Sequence, residues 1–300
     1  MRFTYNFSIL AQRTPNLMIR KAFFTALLVC TGALAQAQHY TTTGDFDRIS
    51  KVSFGFGLNT YIGELRRFTD NKIQAGLSTS LAYEHLFTDK IAIRSSLSLY
   101  KLKADDALST LGDNRRRNLS FESNNVEFVV QALYFRFRHP HTGYKDRAFA
   151  NPYFALGLGV TTNKPKATLA GTEYELRPLR TEGVDYGSLA LIIPVGAGVN
   201  FFINKNVDLQ FEVQYTMALT GYLDDVSGNY RDPSSFADPV AAQLSDRRPE
   251  IGLDPAPAGS ARGDGGNDAY FRLGFRIGYL LPKSLYGKSS IRCKVTKKTR

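Results

Sequence analysis

The most constraining feature of this chain is a two-residue rhythm running from Val207 to Thr220. Val207, Leu209, Phe211, Val213, Tyr215, Met217 and Leu219 fall on one face, and Asp208, Gln210, Glu212, Gln214, Thr216 and Thr220 on the other. Successive side chains of a strand point to opposite sides of the sheet, so this stretch predicts a strand with one apolar and one polar face. Its length exceeds the roughly five or six residues of an ordinary globular strand. About 9–11 tilted residues cross a bilayer, so the length suits a membrane strand.

Seven other stretches carry the same rhythm. The first, Val52 to Ile62, sets Phe54, Phe56 and Leu58 against Ser53, Gly55, Gly57 and Asn59. The last opposes Phe271, Leu273, Phe275, Ile277, Tyr279 and Leu281 to Arg272, Gly274, Arg276 and Gly278. The others centre on Leu77–Glu84, Ile91–Leu99, Glu127–Tyr134, Phe154–Val160 and Leu189–Asn200; Leu133 and Phe135 blur the fourth, and Pro194 predicts a bulge in the sixth. Thr88-Asp89-Lys90 and Asn204-Lys205-Asn206 make tight turns, whereas long links run over 64–72, 104–124, 163–187 and 222–268, with 139–151 intermediate. An even strand count with long loops at one rim predicts an all-β fold: an eight-stranded antiparallel transmembrane β-barrel of the outer-membrane type, with both termini periplasmic. Helical spanning is excluded, since no run of about 18 apolar residues occurs.

If the apolar faces pointed inward, the barrel would be a soluble ligand carrier with a charge-rich, lysine-bearing exterior. The polar faces are instead Gly, Ser, Asn and Gln with few charges and no lysine, which makes them a lumen. There Glu84, Glu127, Asp208 and Glu212 meet Arg94, Arg272 and Arg276, with Gln131, Gln210 and Gln214 completing the hydrogen bonding. Eight strands leave room only for side chains, and buried charges must pair, so this network predicts a plugged core. Tyr61, Tyr83, Tyr134, Tyr215, Tyr270 and Tyr279 lie toward strand ends, where interfacial girdles belong.

Ahead of the barrel, Arg20 and Lys21 precede a short apolar run ending in Ala35-Gln36-Ala37, the pattern of a signal peptide cleaved after a small-x-small site. The expected layout is a signal over 1–37 with Met18 as an alternative start, a lead over 38–51, the barrel over 52–281 and a basic tail over 282–300. Cleavage at Ala35 and Ala37 removes Cys30 and leaves Cys293 alone, which excludes a disulfide or cysteine metal cluster. The net charge of +11 sits at the ends: four cations leave with the signal and seven lie in the tail, so a near-neutral body excludes nucleic acid as a partner.

Chemistry-bearing motifs are few. His139 and His141 flank Pro140 in a turn, and His85 ends the second strand with no serine partner evident from spacing, so no catalytic residue, metal site or cofactor is expected. Within the longest loop, Ser234 to Ser245 carries helical spacing, 254–268 reads as a flexible Gly/Pro/Ala stretch, and Arg262-Gly263-Asp264 is read as turn chemistry.

FGFGLNTYIGEL, NPYFALGLGVTTNKPKA, the stretch from IIPVGAGVNFF to YLDDVSGNYRDP, and NDAYFRLGFRIGYLL together resemble a Bacteroidetes outer-membrane β-barrel family. That family includes PorG, the small barrel of the type IX secretion machinery. The resemblance spans roughly 51–281. It implies outer-membrane lipid as surroundings, a structural or secretion-associated task, and contact with a periplasmic lipoprotein. A porin-like solute or ligand barrel and a rim-site envelope hydrolase are the competing readings.

Overall fold

The computed structural model describes residues 50–66, 74–137, 149–204 and 206–281. The alternating stretches form long antiparallel strands: β1 (Ser50–Ile62), β2 (Ala75–Leu86), β3 (Ile91–Asp105), β4 (Ser120–Phe135) and β5 (Ala150–Thr162). A small hairpin, β6 (Lys166–Leu169) and β7 (Thr172–Glu175), follows. The chain then returns through β8 (Leu189–Phe202), β9 (Val207–Ala218) and β10 (Ala269–Leu280).

Each long strand pairs with its sequence neighbour, β5 pairs with β8 across the hairpin, and β10 pairs with β1 from Ile62↔Ala269 to Lys51↔Leu280. The β3–β4 ladder completes the ring, so the eight long strands close into an antiparallel barrel. At 12–16 residues each, strands tilted by about 40° span roughly 30 Å, the thickness of a hydrocarbon core.

The apolar faces point outward: Phe54, Leu77, Leu97, Phe128, Leu158, Leu191, Phe211 and Ile277 are each 47–73 % exposed. A continuous apolar exterior of this kind has no place in water and is a lipid-facing belt. Inside, glycines make room for long neighbours. A Cβ on Gly278 would stand 2.0 Å from an Asp208 carboxylate oxygen and 2.7 Å from the Lys51 stem.

Several expectations need correction. Strands β3 and β4 continue to Asp105 and back from Ser120, so the anticipated 104–124 loop shrinks to 106–119, and the two strands stand taller than the rest. Pro194 inserts no bulge: the β5–β8 register has the same offset on either side of it, and only the pairs opposite Ile193 and Pro194 drop out, as a missing N–H requires. The 163–187 link holds the β6–β7 hairpin, turned at Ala170 and Gly171 with positive φ at both. Over 234–245 the helix is shorter than the spacing suggests: Pro239 begins it (Pro239–Ser245), the Asp238 side chain accepts from Val240 N–H, and Phe236 lies outside it. The first position of a helix suits a residue with no N–H to satisfy.

Candidate functional site

The polar face of the strands forms a layered plug. Nearest the short-turn rim, Leu86, Ala92, Leu133, Phe135, Tyr153 and Ala155 make an apolar cluster inside the barrel. Leu133 and Phe135 therefore do not blur β4; they are lumen residues on its inward parity. Above them lies an ion cluster. Lys51 Nζ bridges Glu84 (3.0 Å) and Asp208 (2.9 Å), Arg94 bridges Glu84 (3.2 Å) and Glu212 (2.5 Å), and Arg276 reaches Glu212 at 3.6 Å. Gln210 accepts from Arg94, and Tyr153 donates to Glu212 at 2.8 Å.

Higher still, Arg272 holds Glu127 at 2.9 Å while donating to Asn59, and the Tyr270 hydroxyl donates to the same Glu127 carboxylate. Gln131 donates to Gln214, and Gln214 to Thr216. All ten polar residues expected in the lumen are buried and lie within this column. Four acids thus meet four cations rather than three. The extra one is Lys51, because β1 starts at Ser50 and carries Lys51 onto the inward register with Ser53 and Asn59.

Two of the tyrosines expected at the membrane interface are in this column instead. Tyr61 and Tyr270 are fully buried, whereas Tyr83, Tyr215 and Tyr279 are 42–49 % exposed on the outer face. The parity they share with Asn59 and Arg272 is the signal that position near a strand end obscured. The cavity lined by Ser78, Ser80, Glu212, Gln214, Arg272 and Arg276 measures about 10 Å³, the size of one water.

The long loops close the other end. Arg262 is 3 % exposed; it donates to Glu182 (3.0 Å), to the Asp225 carbonyl (2.6 Å) and to the Ser245 carbonyl (2.9 Å). Arg117 grips both oxygens of Asp106 and the carbonyls of Glu64 and Arg262. All four long loops are therefore cross-tied over one apolar core that includes Leu65, Leu119, Leu176, Leu223, Val226 and Leu244. Burial raises Asp225 to about 6 against the opposing pull of Arg262, and raises Asp106 against that of Arg117. The stretch expected to be flexible is pinned: Tyr230 N–H donates to the Ser260 carbonyl, the Tyr230 carbonyl accepts from Gly259 N–H, and Asp246 accepts from Ala256 N–H. With its arginine buried, the Arg262-Gly263-Asp264 triplet does not present an adhesion motif.

His85 does have a serine partner. Ser50, its cross-strand neighbour, places its hydroxyl 2.7 Å from Nδ1 and 2.9 Å from the Tyr83 hydroxyl. Linear spacing hid the pair because a β1–β2 register joins residues 35 apart. Ser50 is fully buried, so its hydroxyl offers no approach for a substrate carbonyl. His139, His141, Ala35 and Ala37 lie outside the described residues.

No family model and no curated protein matches the chain. Among solved structures it is similar to Neisserial surface protein A (11 % identity, TM-score 0.40, covering 77 % of this chain and 96 % of that one). It is also similar to Ail, the attachment invasion locus protein of Yersinia pestis (14 %, TM-score 0.38, 79 % and 100 %). The N-terminal β-barrel domain of Pseudomonas aeruginosa OprF gives 11 %, TM-score 0.34, 77 % and 97 %. Likeness at these scores adds nothing to the architecture, which rests on the strand pairing itself.

Replacing Gly278 with alanine places a methyl group against Asp208 and Lys51. The pair must move, and a loss of about 1–3 kcal/mol is expected in urea unfolding of the barrel refolded into lipid vesicles. A silent Gly278→Ala would mean that the Lys51–Asp208 contact is not held.

Proposed function

We propose that this protein is a non-enzymatic barrel of the outer membrane, with a structural or secretion-associated task of the PorG kind and both termini on the periplasmic side. The observation that carries this reading is the column of four paired acids and cations inside a closed eight-stranded barrel. A solute path needs open cross-section, and here side chains occupy it from the apolar cluster to the loop cap. A fixed body in lipid, with work done on its surfaces, follows more naturally. Lipid surrounds the belt, and a periplasmic lipoprotein is the partner that the family resemblance supplies. A nucleic-acid partner and an enzymatic role have no support from any exposed site among the described residues.

Two measurements test it together. In planar bilayers the refolded protein should show no steady conductance above background; a stable open channel would favour the porin-like reading. Crosslinking in intact envelopes should then recover a periplasmic lipoprotein. Recovery of lipid alone would remove the secretion-associated half of the proposal and leave a structural barrel.

A further inference from the structure

Four oxygen-bearing side chains from separate parts of the chain converge where the loop cap meets the barrel mouth. Tyr61 comes from the end of β1, Glu64 from the turn after it, Asp224 from the segment after β9, and Asp268 from just before β10. The Tyr61 hydroxyl lies 2.6 Å from Asp224 Oδ2 and 3.4 Å from Glu64 Oε2, and contacts Asp268 Oδ1 as well. One hydroxyl owns one proton. It satisfies a single carboxylate, and at the other two contacts oxygen faces oxygen, an arrangement that needs a shared proton or a nearby cation.

No ion pair supplies it among the described residues. The Arg117 guanidinium is committed to Asp106 and to the carbonyls of Glu64 and Arg262, and that of Arg66 donates to the Tyr61 carbonyl. The aspartates are held in place from behind: Leu223 N–H bonds Asp268 Oδ2 at 2.7 Å and Val226 N–H bonds Asp224 Oδ1 at 2.9 Å, which turns the other oxygen of each toward the centre. Glu64 is 8 % exposed, its Oε1 is buried with no hydrogen-bond donor, and its side chain faces the carboxylates of Asp264 and Asp268. An orphaned carboxylate oxygen in such a place is costly unless something fills its lone pairs.

We propose that Glu64, Asp224 and Asp268, with the Tyr61 hydroxyl oxygen, bind a hard divalent cation of calcium's size at the mouth of the barrel. One oxygen from each of the three carboxylates lies within 4.8 Å of the others. Calcium takes oxygens at about 2.4 Å, so two ligands on opposite sides of it stand about 4.8 Å apart. All donors are hard oxygens, the set calcium prefers over softer metals. Gly63 is part of the construction, because a Cβ there would stand 1.9 Å from the Tyr61 hydroxyl oxygen and 2.5 Å from Asp268 Oδ1. The cation would join β1, β10 and the longest loop at one point, and so lock the cap to the barrel.

The test uses the full chain, refolded in detergent and stripped with a chelator. The protein has 16 tyrosines and no tryptophan, so bound terbium is excited through tyrosine. Terbium emission should saturate and be displaced by calcium, and calcium should raise the melting temperature over that in chelator. Glu64→Gln, nearly the same shape, should weaken terbium binding roughly tenfold or more. Asp224→Asn should do the same. Because it also touches the cap, its fold is checked by protease resistance in the same sample, and Glu64→Gln decides if that fold is lost. Absence of saturable emission, absence of a calcium-dependent melting shift, or binding unchanged in Glu64→Gln would each overturn the site; the carboxylates would then be sharing protons instead.

Discussion

Replacing Arg272 with alanine is expected to cost the barrel more stability than replacing Arg94, although Arg94 is the more deeply buried of the two. Arg94 sits in a group of three cations and three acids. Without it, Glu84 keeps Lys51 at 3.0 Å and Glu212 keeps Arg276 at 3.6 Å. Arg272 is the cation that Glu127 depends on, and its loss leaves that carboxylate with the Tyr270 hydroxyl alone among the described contacts. Stranding a buried charge costs about 3–5 kcal/mol. Arg272→Ala should therefore fall in that range, and Arg94→Ala at or below its lower edge. Urea unfolding in lipid vesicles, with the heat-dependent gel shift as a check on folding, measures both. The double variant Arg272→Met, Glu127→Gln should recover much of the loss, since removing both charges is far less costly than removing one. Equal losses for Arg272→Ala and Arg94→Ala would mean that the lumen does not behave as two separate charge groups.

How much of this was visible in the sequence depends on the length scale of the contact. The barrel is written in local alternation: residues two apart share a face, and eight such stretches separated by alternately short and long links leave few other folds. The same parity assigns the lumen residues on β2, β3, β4, β9 and β10. It fails at strand ends, where the pattern is too short to fix a boundary. Lys51 was lost there because nothing before Val52 marks the start of β1, and Tyr61 was read by its distance from the strand centre rather than by its parity with Asn59. The hairpin at 166–175 escaped because Ala170-Gly171 is a weaker turn signal than Asn-Gly. The loop cap was not legible at all. Its ties join Arg262 to Glu182 and Arg117 to the Glu64 carbonyl, across 80 and 53 residues, and composition rich in Gly, Pro and Asp looks the same whether such a loop is free or pinned.

Arg262→Ala should release the cap while leaving the barrel closed. Its guanidinium bonds three separate pieces: Glu182 from the β5–β8 link, and the Asp225 and Ser245 carbonyls from the two ends of the longest loop's folded part. Glu182 in turn caps the Ser227 and Gly228 amides, at 3.1 and 2.7 Å. Truncating Arg262 leaves Glu182 buried with no cation and leaves two carbonyls without a donor, a penalty of about 3–5 kcal/mol that falls on the loops and not on the strand ladders. The cap closes over a small apolar core, so a loss of that size is enough to open it locally. Limited proteolysis of the refolded protein should then cut between Tyr222 and Asp268 at low protease, where the parent resists. The unheated gel band should keep the compact mobility of a closed barrel. Arg262→Lys keeps the charge but not the fork of donors, and should fall between the two. Protease resistance unchanged in Arg262→Ala would show that the apolar core alone holds the loops, whereas loss of the compact gel band would show that cap and barrel unfold as one unit.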